Sequence, residues 1–204
     1  MKKVTIIDYK IGNITSIINM LNNFPNIKVE LSNDPKTIIE SDKLILPGVG
    51  AFGNAISNIN ALEIKESINA FVEKGNSLLG ICLGMQLLLD SSQEFGHYEG
   101  LGLIPGKVKK ISEAKTTILP NVGFYRLLDE TNQEPEKELQ NNWFYFVHSY
   151  MCIPKDPSHI SSVIKYNDQT IVSGIKKDNI HGCQFHPEKS HQAGIIFYKN
   201  FINE

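Results

Sequence analysis

The first half of the chain alternates short runs of β-branched residues with stretches whose apolar positions recur at helical spacing. Val4-Thr5-Ile6-Ile7-Asp8 reads as a strand, residues 13–24 as an amphipathic helix, and residues 27–31 and 43–47 as two further strands. Residues 55–74 form a longer apolar periodic segment. Ser77-Leu78-Leu79-Gly80-Ile81 is apolar at nearly every position and runs into a second apolar stretch, residues 83–90, read as a helix. Continuous apolar strands suit a parallel sheet covered by helices on both faces. Beyond Gly100 the texture changes: residues 101–111, 143–151, 160–167, 170–177 and 180–185 read as strands joined by tight turns, and helix returns over 191–202. The polar stretch 129–142 reads as a surface loop. These elements predict an α/β fold, an open and mostly parallel sheet flanked by helices with a β-rich second half, in one domain over residues 1–204.

Composition narrows the function classes. A chain of 204 residues, 41% hydrophobic and 21% charged, can bury one sizeable core. Its net charge of −2, with Lys and Arg scattered, offers no footprint for nucleic acid or an anionic membrane surface. The first apolar run, residues 4–7, is closed by Asp8 and is too short for a signal-peptide core, and no stretch of about 18 apolar residues could span a bilayer. Three cysteines at unrelated spacings make neither a disulfide framework nor a zinc site, so a reducing cytoplasm is the expected setting and no metal or cofactor is expected.

Chemistry enters at Cys82. Gly80 and Gly84 flank it in a G-x-C-x-G pattern between a buried strand and an apolar helix, the cysteine form of a nucleophile elbow. Glycines there permit a sharp turn, and backbone N–H groups at a helix start favour a thiolate. A small buried core residue is the alternative, and it is the preferred reading for Cys152 and Cys183, which lack the glycine frame. A thiol nucleophile needs a base, and the base needs an orienting neighbour. His186-Pro187-Glu188, following a strand, supplies both, although alone it would read as a polar loop. At strand ends of one parallel sheet, residues 82 and 186 can converge on the edge where open α/β sheets bind ligands.

Residues 48–53, Gly-Val-Gly-Ala-Phe-Gly, match the dinucleotide fingerprint G-x-G-x-x-G. Two strands precede the loop, however, and Pro47 interrupts its junction with the strand. The competing reading is that the loop turns backbone N–H groups toward the target of the thiol, as half of an oxyanion hole completed by Leu83.

Together, Gly80-Ile81-Cys82-Leu83-Gly84-Met85-Gln86, Gln184-Phe185-His186-Pro187-Glu188-Lys189-Ser190 and Pro47-Gly48-Val49-Gly50-Ala51-Phe52 resemble the class I (triad) glutamine amidotransferases, nearly end to end. Within that class, the Pro47-Gly48-Val49-Gly50 loop, the opening Asp8, Tyr9, Gly12 and Asn13, and residues 100–106 are similar to the glutaminase subunits of imidazole glycerol phosphate synthases. The resemblance implies a flavodoxin-like fold and a Cys82–glutamyl thioester, with His186 as base and acid and Glu188 orienting it. It also implies an oxyanion hole at Val49 and Leu83, and glutamine recognition by Gly50, Gln86, Glu94, His148, Ser149 and Tyr150. Gln86 lies one helical turn beyond Cys82, which supports its access independently. Without the resemblance, Glu94 would read as a solvated loop carboxylate and His148 as a strand-end polar residue.

The implied partner is a (β/α)8-barrel cyclase that forms a heterodimer with the glutaminase and receives ammonia through a channel. With it, the pair would make imidazole glycerol phosphate and aminoimidazole-carboxamide ribotide in histidine biosynthesis. Asn13, Phe124 and Lys189 match partner-facing positions. Residues 120–125, Pro-Asn-Val-Gly-Phe-Tyr, depart from the family's Pro-His-x-Gly-Trp-Asn at three positions of this partner-facing stretch. Two alternatives stand beside this reading: a glutaminase feeding a sugar amidotransferase of surface-polysaccharide synthesis, and a nucleotide-binding module built on residues 48–53.

Overall fold

The computed structural model describes residues 1–113, 117–128, 139 and 142–204. In chain order its first half comprises β1 (Lys2–Ile7), α1 (Ile14–Leu21), β2 (Ile27–Ser32), α2 (Pro35–Ile39), β3 (Lys43–Leu46), α3 (Phe52–Ala61), α4 (Lys65–Glu73), β4 (Ser77–Ile81) and α5 (Leu83–Leu87). The second half comprises β5 (Leu89–Ser92), β6 (Tyr98–Glu99), β7 (Ile104–Lys110), β8 (Asn121–Arg126), β9 (Trp143–His148), β10 (Tyr150–Pro154), β11 (Ile160–Tyr166), β12 (Gln169–Lys177), β13 (Ile180–Cys183) and α6 (His191–Asn203).

The main sheet has the order β11-β12-β13-β4-β3-β1-β2. Its five strands from β13 to β2 are parallel, in the order β2-β1-β3-β4-β13 expected of a flavodoxin-like sheet, while β12 and β11 extend one edge antiparallel. Successive residues of the central strands bury on opposite faces, as the twofold strand repeat requires. Ile7, Leu44 and Leu78 pack with Phe52, Ile59, Ile68 and Phe71 of α3 and α4. Their neighbours Ile6, Ile45 and Leu79 pack with Ile17 and Leu21 of α1 and Tyr198 and Phe201 of α6. Each such side chain contributes roughly 1.5–3 kcal/mol through burial, so the sheet is a stiff platform from which loops project.

Several local expectations differ from the structure. The segment 55–74 divides into α3 and α4 at Glu63, whose φ of 54° breaks the helical path. Pro35–Ile39 forms a five-residue helix, capped by the Asp34 carboxylate accepting the Thr37 N–H at 2.8 Å, too short to register as periodicity. The helix expected over 83–90 stops at Leu87, because Leu89–Ser92 pairs with β7 and β6 in a second sheet of order β10-β7-β5-β6. The run 143–151 is two strands. Trp143–His148 pairs with β8 in a ribbon, and Tyr150–Pro154 joins the second sheet, so Ser149 is the point where the chain changes sheets. The expected loop 129–142 lies outside the described residues except for Leu139 and Asn142. Among the described residues no helix is long and apolar enough to cross a membrane.

Candidate active site

Strand β4 delivers Cys82 to the carboxyl edge of the parallel sheet, where its N–H donates to the Cys183 carbonyl at 2.7 Å. Its φ of 54° and ψ of −108° place a non-glycine residue in strained backbone, the signature of an elbow that exposes a side chain. The turn depends on close backbone approach: a Cβ at Gly84 would stand 1.9 Å from the Leu46 carbonyl oxygen, and one at Gly48 would stand 2.7 Å from the Tyr9 hydroxyl and 2.8 Å from Leu83 Cβ. The Gly48 loop therefore lies directly against the elbow. Tyr9, fully buried, donates to the Pro47 carbonyl and holds the loop there. Among the described residues, the N–H groups of Val49 and Leu83 have no protein acceptor.

Strand β13, paired with β4, carries the chain to His186, whose N–H donates to the Tyr145 carbonyl at 2.9 Å. A tight turn over Pro187–Lys189 brings Glu188 back, and the His186 Nδ1–H donates to Glu188 Oε1 at 2.8 Å, with both side chains almost wholly buried. A carboxylate can only accept, so this bond keeps a proton on Nδ1 and makes Nε2 the nitrogen that gains or gives up the other. Nε2 is buried and, among the described residues, has no hydrogen-bond partner of normal geometry. Burial alone would lower the His186 pKa, but interactions with Cys82 and Glu188 outweigh it and lift it to about 10. The ring is thus a strong base beside a thiol. Cys152 and Cys183 are fully enclosed, and burial pushes both thiols up.

Cys82, Leu83, His186, Val49 and all six residues expected to recognise glutamine line one cavity of about 210 Å³, together with Val147. Glu188 stands behind His186 rather than in the wall. Two other hollows, of about 170 Å³ beneath α6 and about 440 Å³ near Met1, include neither Cys82 nor His186. Glu94 is a buried carboxylate, not a solvated one: its Oε2 accepts the Phe52 N–H at 2.7 Å, and burial raises its pKa against that bond. This bond overturns the nucleotide-binding reading, since the start of α3, where a phosphate would have to bind, is already held by a carboxylate.

His148 is buried and neutral, its pKa pushed down to about 4 by burial and, less, by the His186 charge, against the raising effect of its bond to the Tyr150 carbonyl. Nδ1 donates to that carbonyl at 2.8 Å, and Nε2 faces the Asn121 Nδ2 at 3.2 Å. Gln86 Nε2 donates to the same carbonyl at 3.3 Å and to Gln184 Oε1 at 3.0 Å, and Gln184 Nε2 lies 3.7 Å from Cys82 Sγ. Tyr9, Asn121 and Gln184 are site residues that sequence reasoning misses. Only their position in or beside the quoted motifs could have drawn attention to them.

On the outer side, Lys189 is exposed, its ammonium 5.5 Å from the centre of the Tyr145 ring, and Asn13 is half-buried just before α1. Phe124 is 42% exposed and stacks on His191. The altered stretch 120–125 is not uniformly outward-facing. Strand β8 alternates, so Val122, Phe124 and Arg126 point outward, whereas Asn121 is fully buried against His148 and Tyr125 packs on Phe146 and Tyr166. Of the three departures, then, only Phe124 presents its side chain outward.

Comparison with known proteins bears on this geometry. The family glutamine amidotransferase class-I matches residues 5–203. The chain is 37% identical over 212 residues to imidazole glycerol phosphate synthase subunit HisH 1 of Legionella pneumophila (strain Lens), covering 99% of each. It is 40% identical over 205 residues to subunit HisH of Prochlorococcus marinus (strain NATL2A), covering 100% of this chain and 97% of the relative. Among solved structures it is similar in fold to one described as a glutamine amidotransferase (TM-score 0.73, 15% identity, 98% of this chain and 97% of that one). It is also similar to PurLQS from Thermotoga maritima (TM-score 0.71, 15% identity, 99% and 98%).

Proposed function

The chain belongs to the class-I glutamine amidotransferase family, and from that premise we propose that it is the glutaminase subunit of an imidazole glycerol phosphate synthase. In this reading it hydrolyses glutamine and passes ammonia to a cyclase subunit in histidine biosynthesis. The observation that carries it is the convergence on one cavity of Cys82, His186 with Glu188 behind it, two backbone N–H groups that have no protein acceptor among the described residues, and a buried carboxylate. The names of full-length relatives at 37% and 40% identity support the choice of synthase.

The chemistry follows from the geometry. Cys82 Sγ, having given its proton to His186 Nε2, attacks the side-chain carbonyl carbon of glutamine. The carbonyl electron pair moves onto oxygen, where the N–H groups of Val49 and Leu83 receive it, a stabilisation commonly worth about 10²–10³ in rate per donor. Collapse of the intermediate breaks the C–N bond, His186 protonates the departing nitrogen, and ammonia leaves a Cys82 thioester. Water then attacks the thioester, His186 takes its proton, and the C–S bond breaks with its electron pair returning to sulfur, releasing glutamate. Glu188 holds the imidazole in the required tautomer throughout. In this reading Glu94, in the cavity wall, meets the substrate ammonium, and Gly50, Gln86, His148, Ser149 and Tyr150 shape the rest of the site.

The partner in this reading is a cyclase of (β/α)8-barrel fold docking on the face that carries Asn13, Phe124 and Lys189. Val122 and Trp143, each about half exposed, add apolar surface beside Phe124. Residues 1–204 act as one amidotransferase domain, and three free thiols suit a reducing cytoplasm. The test is glutamate release by the purified chain, alone and with a histidine-pathway cyclase and its nucleotide substrate. Strong stimulation by that pair is expected. Silence with the cyclase, alongside turnover with a surface-sugar amidotransferase, would overturn the partner and leave the glutaminase.

A further inference from the structure

We infer that Gln184 is a positioning residue for the hydrolysis, donating a hydrogen bond from Nε2 to Cys82 Sγ and so holding the sulfur in its attacking orientation. The inference rests on Cys82 being the nucleophile. The two ends of a side-chain amide are distinguished by their partners rather than by their shape.

The Tyr150 carbonyl oxygen can only accept, so the Gln86 atom facing it at 3.3 Å is its NH2 group. That NH2 also lies 3.0 Å from Gln184, and the Gln184 atom meeting it must therefore be Oε1. With Oε1 so committed, the end of Gln184 that lies 3.7 Å from Sγ is the NH2, a donor. A flip of Gln86 would set acceptor against acceptor at the Tyr150 carbonyl, and a flip of Gln184 would set donor against donor at Gln86. The Gln184 backbone is fixed as well, its N–H donating to the Ser173 carbonyl at 2.9 Å, and the residue is fully buried. The sulfur is thereby tied through two amides to the Tyr150 carbonyl, which also receives the His148 Nδ1–H.

A donor at this position acts at both ends of the reaction. When the thiol proton has moved to His186, the bond from Gln184 becomes charge-assisted and strengthens. In the thioester the sulfur is neutral and the bond is weak. When water displaces the thioester, the electron pair returns to sulfur and the bond strengthens again. Gln184 thus favours the charged sulfur over the neutral one, an effect on turnover more than on glutamine binding.

Two substitutions and one spectroscopic measurement test this. Gln184→Met keeps the length of the side chain and removes the donor; Gln184→Glu keeps an acceptor for Gln86 and turns an oxygen toward the sulfur. In complex with the cyclase, kcat for glutamine should fall roughly tenfold or more in both, with KM changed by less than about threefold, the size expected when a bond to a charged atom is lost. The pH midpoint of Cys82 alkylation by iodoacetamide, read peptide by peptide by mass spectrometry, should move upward by about one unit with Gln184→Met and further with Gln184→Glu. In the unsubstituted chain, alkylating Cys82 should shift the Gln184 side-chain amide resonances, a measurement that needs no folded variant. Unchanged resonances, or folded variants with an unchanged alkylation profile and kcat, would overturn the role of Gln184. Full glutamine turnover by Cys82→Ala would instead overturn the nucleophile reading beneath it.

Discussion

The two walls of the cavity, reactive and recognition in the proposed function, are built by different means. The reactive wall, Cys82 and His186, hangs from the carboxyl ends of the adjacent parallel strands β4 and β13, and backbone contacts set its geometry: Cys82 N–H on the Cys183 carbonyl, His186 N–H on the Tyr145 carbonyl, and Gly84 against Leu46. The recognition wall, Glu94 and residues 148–150, comes from the second sheet, the β8–β9 ribbon and their junctions. Its geometry rests on buried side-chain bonds, Glu94 to Phe52 and Asn121 to His148 to Tyr150. A fixed backbone suits atoms that must meet within tenths of an ångström, whereas side-chain networks can be changed one residue at a time without disturbing the sheet. On this reading, lesions in the reactive wall should abolish chemistry with little loss of fold, and lesions in the recognition wall should alter affinity or stability.

The largest effect is expected from Cys82→Ala, which should reduce glutamine-dependent activity by roughly 10⁵-fold or more while leaving ammonia-dependent synthesis by the partner intact, since only the ammonia source is lost. Loss of both activities would place Cys82 in the structure of the complex instead. Next comes Glu188→Gln. The amide keeps the size of the carboxylate but its oxygen is a weaker partner for an imidazolium, and a drop of up to about 10⁴-fold in kcat at unchanged fold is the expected outcome in steady-state assays. A fall in melting temperature accounting for the loss would show Glu188 to be structural.

On the opposite wall, Glu94→Gln retains an oxygen for the Phe52 N–H and removes the negative charge. Glutamine KM should rise by on the order of a hundredfold, with kcat affected far less, because a charge-assisted contact to the substrate ammonium is worth about 1.5–3 kcal/mol. An unchanged KM would leave Glu94 as a brace for the start of α3 and nothing more.

The same division explains what could be read from sequence. Residues 77–81 announce a buried parallel strand because every position after Ser77 is covered, and Gly80 and Gly84 announce the elbow because only glycine fits where α5 packs against β4 and β3. His186 and Glu188 are two residues apart, so their pairing is local. The recognition wall is not local. Nothing in the continuous alternation from Trp143 onward marks Ser149 as the place where the chain leaves one sheet for another. Gln86 meets Gln184 across 98 positions, and Asn121 meets His148 across 27, so polar residues of ordinary appearance acquire their roles only after the sheets are assembled. The strand β5 was hidden for a similar reason: Leu89 follows Leu87 and Leu88 in an apolar run, and only its pairing with Ile104 takes it out of the helix.

The smallest predicted effect concerns stability and pH. His148 is held neutral, with its folded pKa near 4 against an ordinary value of 6.5. As pH falls below 6.5 the unfolded chain takes up this proton while the folded protein refuses it, so stability is lost between about pH 6.5 and pH 4 and the loss levels off below that range. His181, held near 4 chiefly by burial, acts in the same direction. His186 acts oppositely: its raised pKa contributes stability that is fully present below the ordinary histidine value and is lost as pH rises toward about 10. Urea unfolding of the unsubstituted chain should therefore weaken on both sides of neutrality. At pH 5 the His148 contribution to the acid loss is about 2 kcal/mol, from the ratio of its two proton affinities. His148→Gln, which cannot titrate, should lower stability at neutral pH yet remove that part of the acid slope between pH 6.5 and 5. If the slope persists undiminished, the neutral, hydrogen-bonded His148 at the junction of β9 and β10 is not what makes the recognition wall sensitive to acid, and His181 beneath α6 becomes the group to substitute.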